Sequence, residues 1–418
     1  MESSVPIWQH HKDILTQAGL DFDDIEKTRK HIHQNAECGF KEFKTRKTIL
    51  GYFTDVDKDN NIREYATTGF TIDIKGTAPP TDDGECNVIA LRADMDALPI
   101  KEETGVDYAS VTEYSHMCGH DGHVAILIAT GVFLKNHRDK IPSNKTIRLL
   151  FQPAEELVGG AETMVKEGCL EGVDEIYGYH NSPLGQEGTI SIMPGPMMAG
   201  NEKVYIDIEG VGGHGSEPAN ATDPITAACH LHSAFHTIKS RNTFNTDVVV
   251  FTICELNSGT TFNVIPRTAK MSGTIRYYDE KVKDLCVKRI EELTKEICEG
   301  FNCTPKIFIG DSCPAVVNYE KQTEIVMEIA KEELGEDAIN TTKGIPKLGS
   351  EDFSCFLQKV PGCFILLNNV KPGETPITMH SSKVDYNDNI TGTGVYLYVR
   401  ILEQRLGISL LGSLDSES

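Results

Sequence analysis

The strongest constraint on this chain is the way its apolar runs end. Residues 87–92 (NVIALR) form a compact apolar run that stops at Ala93-Asp94-Met95-Asp96, and residues 147–151 (IRLLF) form another that stops at Gln152-Pro153. A third run, around Ile176-Tyr177-Gly178-Tyr179, stops at His180. Between them, residues 123–134 (HVAILIATGVFL) have helix length and an apolar face, and residues 161–167 read as a shorter helix after Gly159-Gly160. Strand–helix alternation of this kind predicts an α/β fold, a mostly parallel sheet with helices on both faces. Such sheets bind ligands beyond the carboxyl ends of their strands, which is where these polar clusters fall.

The pattern changes near residue 200. Residues 203–208, 247–254 and 270–277 read as strands that alternate or run in β-branched residues, and residues 279–298 as a charged amphipathic helix. After residue 310 helix and strand alternate again, at 321–334 and 363–367. A chain of 418 residues is long for one domain of roughly 100–200. The expected layout is a catalytic domain in two parts, 1–199 and 310–418, interrupted by a smaller α+β domain at 200–309.

Acidic residues number 62 against 40 basic ones, a formal net charge of −22. That field repels phosphate backbones, so neither nucleic acid nor an anionic membrane is an expected partner. No stretch approaches the roughly 18–20 apolar residues of a membrane span, and the opening MESSVPIWQHHKDILTQ does not read as a signal peptide. The twelve cysteines are scattered without short paired spacings, which reads as free thiols in a reducing compartment. A cytoplasmic location is the expectation, and the Asn-x-Thr sites at Asn144 and Asn389 are then chance matches. A short polar tail is expected at residues 412–418.

The densest chemical cluster is Met117-Cys118-Gly119-His120-Asp121-Gly122-His123. In an extended loop Cys118 and His120 point the same way, and a thiolate beside an imidazole suits zinc, cobalt or manganese. Asp96 or Asp121 can orient the imidazole. The competing reading is a buried cysteine and a histidine before a helix. In Gln152-Pro153-Ala154-Glu155-Glu156, adjacent carboxylates at a strand end repel each other unless a cation is present; one can then ligate while its neighbour acts as general base on water. A solvated helix start is the alternative. His180 and His380 are single histidines that serve either a structural or a functional role, and His214, in Gly212-Gly213-His214-Gly215-Ser216, either reaches a substrate or marks a plain turn. Taken together, cysteine, histidine and glutamate recurring at strand ends favour a metal hydrolase.

These residues resemble the M20 family of metallopeptidases, in the amidohydrolase branch that includes hippurate hydrolase, N-acyl-amino-acid aminoacylases and auxin-conjugate hydrolases. The resemblance is carried by Leu91-Arg92-Ala93-Asp94-Met95-Asp96-Ala97-Leu98-Pro99, Cys118 to His123, and Gln152 to Glu156. It extends in order through Arg29-Lys30-His31-Ile32-His33, Glu37-Cys38-Gly39-Phe40, Asn263-Val264-Ile265-Pro266, Gly273-Thr274-Ile275-Arg276, Gly349-Ser350-Glu351-Asp352-Phe353 and His380-Ser381. It implies two divalent metal ions per subunit (Zn, Mn or Co), with Cys118, His120, Glu156, His180 and His380 as ligands. Glu155 matches the catalytic base and Asp96 the carboxylate that orients the site. His214, Asn263 and Arg276 match substrate-binding groups on an inserted lid domain that also carries the dimer contact, His214 reaching the site of the partner subunit.

The chain departs from the branch at three places. Ala36 stands before Glu37 where proline is usual, His116-Met117 precede Cys118 in place of His-Ala, and Ala219 follows Pro218 where a second histidine is common. The last change bears on acyl or amino-acid preference, since every implied ligand position is intact. The expected activity is hydrolysis of N-acyl-L-amino acids, a small-molecule substrate, by a possible homodimer. A dipeptidase or carboxypeptidase with the same two-metal site is the alternative, and a catalytically silent binding protein a further one.

Overall fold

The structure is a computed structural model that describes residues 5–56, 61–157 and 159–412. The polar tail read at residues 412–418 lies outside them apart from Gly412, as do the first four residues. Contacts divide the chain into two compact units. The first runs to Met197 and resumes over Asn318–Ile345 and Asp352–Ser418; the second comprises Met198–Val317 and Pro346–Glu351.

The first unit is built on an eight-stranded sheet. Its order is Ile62–Tyr65, Gly69–Lys75, Thr146–Gln152, Val88–Asp94, Glu175–Gln186, Gly362–Val370, Ile190–Ser191 and Ile339–Asn340. The central strands pair in parallel: Val88–Asp94 lies between Thr146–Gln152 and Glu175–Gln186, and the latter pairs with Gly362–Val370. Antiparallel pairs occur towards the edges, at Gly69–Lys75 and at Ile190–Ser191. Side chains alternate across the sheet with period two. One face carries Ile89, Leu91, Ala93, Ile147, Leu149, Phe151, Tyr177, Tyr179, Ile365 and Leu367 into the main core, against the helices His120–Asn136 and Ile390–Leu406. The other face carries Arg92, Gln152 and Gly178 towards Phe353, which precedes the short helix Ser354–Leu357.

Register sets the functional edge. Asp94 pairs with Gln152 as the last residues of adjacent strands, so the segments that follow them, 95–98 and 153–157, leave the sheet side by side. The third strand differs from expectation. It continues past His180 to Gln186, with His180 opposite Leu366, because Gly362–Val370 pairs along its whole length. His180 therefore lies within a strand and is held by the ladder on one side.

The helix expected from residue 123 begins three residues earlier, at His120, and is buried on nearly every side. An all-round apolar helix lacks the periodicity that would mark its start.

The second unit is an antiparallel sheet of four strands, Val249–Ser258, Thr268–Tyr277, Gly200–Glu209 and Thr304–Cys313. Two helices complete it, Pro224–Asn242 and Glu280–Gly300, each with an aspartate cap (Asp223 and Asp279) accepting from the first-turn N–H groups. Val204, Ile206 and Ile208 alternate inward, and Cys286, Ile290 and Cys298 meet them from the longer helix.

Candidate metal centre

The site of the first unit grows out of the turn before the helix His120–Asn136. Gly119 has φ +90°, and a Cβ there would lie 2.4 Å from the Asn181 side-chain oxygen, so the turn requires glycine. This turn, not an extended loop, brings Cys118 and His120 to one site. Cys118, His120 and His180 form a group whose donor atoms lie within 4.8 Å of one another, as do Cys118, Glu156 and His380. Cys118 Sγ is 3.3 Å from His180 Nε2, and Glu156 Oε1 is 3.2 Å from His380 Nε2 and 4.0 Å from His120 Nε2. All five residues expected as ligands thus meet through shared neighbours. His380 is half exposed, and its backbone N–H donates to the Met117 carbonyl at 2.9 Å, which ties it to the cysteine loop.

Ligand atoms here are prepared and left over. His180 Nδ1 donates to the Asn181 carbonyl at 2.7 Å, which leaves the Nε2 lone pair facing the cysteine. Burial pulls His180 well below its ordinary range, so the ring is a neutral donor. Both ring nitrogens of His120 and Oε1 of Glu156 are buried without a hydrogen bond. Burial pushes the Cys118 thiol up, with His120 pulling the other way. Buried ring nitrogens left without a hydrogen bond beside a thiol and several carboxylates are costly, a bound cation would satisfy them, and thiolate, imidazole and carboxylate together suit a borderline divalent ion. The residues present fit a metal.

Asp96 governs the acidic loop. Its Oδ1 and Oδ2 accept the backbone N–H groups of Glu155 and Glu156, each at 3.0 Å, and Oδ1 also lies 3.4 Å from His120 Nδ1. Of the two carboxylates considered for orienting His120, Asp96 is the one in place. Asp121 turns away and pairs with Arg29 at 2.8 Å and His33 at 2.9 Å. Glu156 faces His380 and His120, while Glu155 joins His120 and Glu156 in one donor group.

Sequence reasoning missed Asp94 and His123. Asp94 accepts from Arg92 at 2.9 Å, meets His123 Nδ1 at 2.5 Å and lies 3.4 Å from His120 Nε2. Its signal was the Asp94-Met95-Asp96 spacing, which puts both carboxylates on one side. The other nitrogen of His123 faces Asn181, 2.7 Å from its Oδ1 and 3.1 Å from its backbone N, and Asp94, His120 and His123 form a further group of metal-capable donors.

His214, Asn263 and Arg276 all fall in the second unit. His214 lies in a two-stranded ribbon opposite Val264, and Asn263, in the turn just before that strand, accepts from the Gly215 N–H at 2.9 Å. Both are exposed, and a cavity of about 680 Å³ beside His214 is also lined by Ser258, Ile265, Arg267 and Lys270. Arg276 is placed apart from that ribbon. It lies opposite Asn201 in the four-stranded sheet and donates to Asn201 and to Thr274 Oγ1 at 2.8 Å.

The family model for peptidase family M20/M25/M40 matches residues 90–404. The chain belongs to peptidase family M20. Within it, N-acetyl-L-cysteine deacetylase of Bacillus subtilis is 35% identical over 374 residues, covering 87% of this chain and 86% of that one. Thermostable carboxypeptidase 2 of Saccharolobus solfataricus is 34% identical over 393 residues, covering 91% and 96%. The crystal structure of a dinuclear metal binding peptidase from the M20 family of Bacillus subtilis matches with a TM-score of 0.75 at 28% identity, covering 91% of this chain and 97% of that one. This M20 member is a metal-dependent amide hydrolase. Among its described residues, no helix is long and apolar enough to cross a membrane.

Proposed function

We propose that this M20 enzyme hydrolyses the amide bond of N-acyl-L-amino acids, with Glu155 as general base and two divalent ions held by Cys118, His120, Glu156, His180 and His380. The observation that carries the reading is the grouping of the buried His120 ring, which makes no hydrogen bond, with Cys118, Glu155, Glu156 and His180. The similarity to a deacetylase of N-acetyl-L-cysteine supports the acyl substrate class. When bound, zinc, manganese or cobalt would supply Lewis acidity and lower the pKa of water.

The rest of the chemistry belongs to the chain. Asp96 fixes the backbone from which both glutamates project. Glu155 takes the water proton on its carboxylate and returns it to the leaving amide nitrogen. His214 donates to the developing oxyanion from the partner subunit, Asn263 supports the reacting carbonyl, and Arg276 grips the substrate carboxylate in a charge-assisted fork. Residues 200–309 act as lid and dimerisation domain. Supporting a homodimer, the edge strand Val249–Ser258 leaves Val250 and Leu256 exposed for pairing. The twelve free cysteines fit a cytoplasmic setting.

The deciding experiment is amino-acid release from N-acetyl, N-benzoyl and longer N-acyl amino acids beside plain dipeptides, with manganese or zinc and with chelator. Glu155→Gln is expected to cost orders of magnitude in kcat with metal retained, and near-normal turnover refutes the base assignment. The similarity to a carboxypeptidase favours a second reading, peptide hydrolysis at the same site, and release from dipeptides alone would establish it.

A further inference from the structure

Glu42 stands at the start of the helix Phe43–Gly51 and is fully buried. Its Oε1 accepts two backbone N–H groups, from Phe40 at 3.0 Å and from Ala154 at 3.0 Å, while Oε2 accepts the Thr68 hydroxyl. Both backbone donors are in the left-handed region, with φ +62° at Phe40 and +53° at Ala154. Residues other than glycine, asparagine and aspartate rarely adopt that conformation, and keep it only where their surroundings hold them. The two segments also touch: a Cβ on Gly39 would lie 2.8 Å from Ala154 Cβ.

Ala154 immediately precedes Glu155 and Glu156, whose N–H groups Asp96 holds. Three consecutive backbone donors are therefore each captured by a carboxylate oxygen. Asp96 grips the loop beside the metal ligands, and Glu42 grips it at the point where the chain turns. A conformation that is locally unfavourable and externally clamped fixes the direction in which the next side chain leaves the backbone.

We propose that Glu42 is a positioning residue for hydrolysis: by holding Ala154 in the left-handed conformation, it aims the Glu155 carboxylate at the water that Glu155 deprotonates. This rests on Glu155 being the base.

Burial pushes the Glu42 carboxyl up to about 7, and a neutral acceptor can make the same bonds. In Glu42→Gln the amide oxygen takes both N–H groups and the amide nitrogen donates to Thr68 Oγ1. The test uses the full-length, manganese-loaded enzyme on N-acetyl amino acids, with kcat and KM separated and bound metal measured by atomic absorption. Glu42→Ala is expected to lower kcat roughly 10- to 100-fold, with KM and metal content unchanged, and Glu42→Gln to restore it to within about threefold. Glycine adopts the left-handed conformation without penalty, so adding Ala154→Gly to Glu42→Ala should recover a large part of kcat.

Wild-type kcat in Glu42→Ala, a loss that appears in KM or metal content, or no recovery on adding Ala154→Gly overturns the proposal. Should Glu42→Ala fail to fold, Gly39→Ala, which presses on Ala154 from the same side, must show the kcat-only loss; full activity there also overturns it. Glu155→Gln runs alongside. If it turns over normally, the base assignment fails, whereas an inactive Glu155→Gln beside a fully active Glu42→Ala refutes the positioning role alone.

Discussion

Replacing Asp96 by asparagine keeps shape and removes one acceptor. The native carboxylate accepts from Glu155 N on one oxygen and Glu156 N on the other, and its buried setting admits no substitute donor pattern. The amide presents one oxygen and one NH2, so either way round an N–H of the loop faces another donor. One charge-assisted hydrogen bond, worth about 1.5–3 kcal/mol, is lost, and the orphaned N–H adds about 1–3 kcal/mol. We expect about 3–4 kcal/mol to appear as misplaced glutamates, a fall in kcat/KM of roughly 10²- to 10³-fold. Asparagine should be no better than alanine, although it is nearly isosteric. His120 loses its neighbour at 3.4 Å as well, so metal affinity should fall about 10- to 100-fold, and the assay is run at saturating metal to separate the two effects. An Asp96→Asn enzyme within about threefold of wild type at saturating metal, or one that recovers most of the alanine loss, would refute the reasoning.

Two further expectations concern stability. Arg29 is fully buried and bonded to Asp121 and Asp388, so Arg29→Met strands Asp388, leaves Asp121 with His33 as its charged partner and should cost about 3–5 kcal/mol; a urea-midpoint shift worth less than about 1 kcal/mol contradicts this. Burial opposes protonation of His33, but Asp121 and Glu102 outweigh it and lift the group to about 10. A raised pKa stabilises fully below the unfolded value near 6.5 and is lost as pH rises through about 10. Between those limits wild-type stability should fall more steeply with pH than that of His33→Gln, and parallel pH profiles would exclude the charge assignment.

The sheet was legible where strands are continuously apolar and flanked by polar residues, as at Val88–Asp94 and Thr146–Gln152. The last helix, Ile390–Leu406, was not, because ITGTGVYLYVRIL is rich in glycine, β-branched and aromatic residues and is buried on all sides, so packing overrides propensity. Site residues were legible as ligand types and through family resemblance. Their geometry was not, since it depends on a left-handed turn at Gly119 and on pairings distant in sequence. Asp94 and His123 were visible as letters beside the chosen ones, but their partners were not. Glu42 carries no local signal at all, because its partner Ala154 lies 112 residues further along the chain.

Chain order bears on how the ions arrive. Cys118, His120, Glu156 and His180 leave the ribosome before the unit that begins at Met198, and His380 only after that unit is complete. Until then the Met117 carbonyl lacks the His380 N–H, and the nascent cage lacks its half-exposed member. On the proposed ligand set, the group Cys118, Glu156 and His380 is thus completed only late in synthesis, whereas Cys118, His120 and His180 are together in the chain much earlier. A chain cut before residue 380 would therefore keep one three-residue donor group and lose the other.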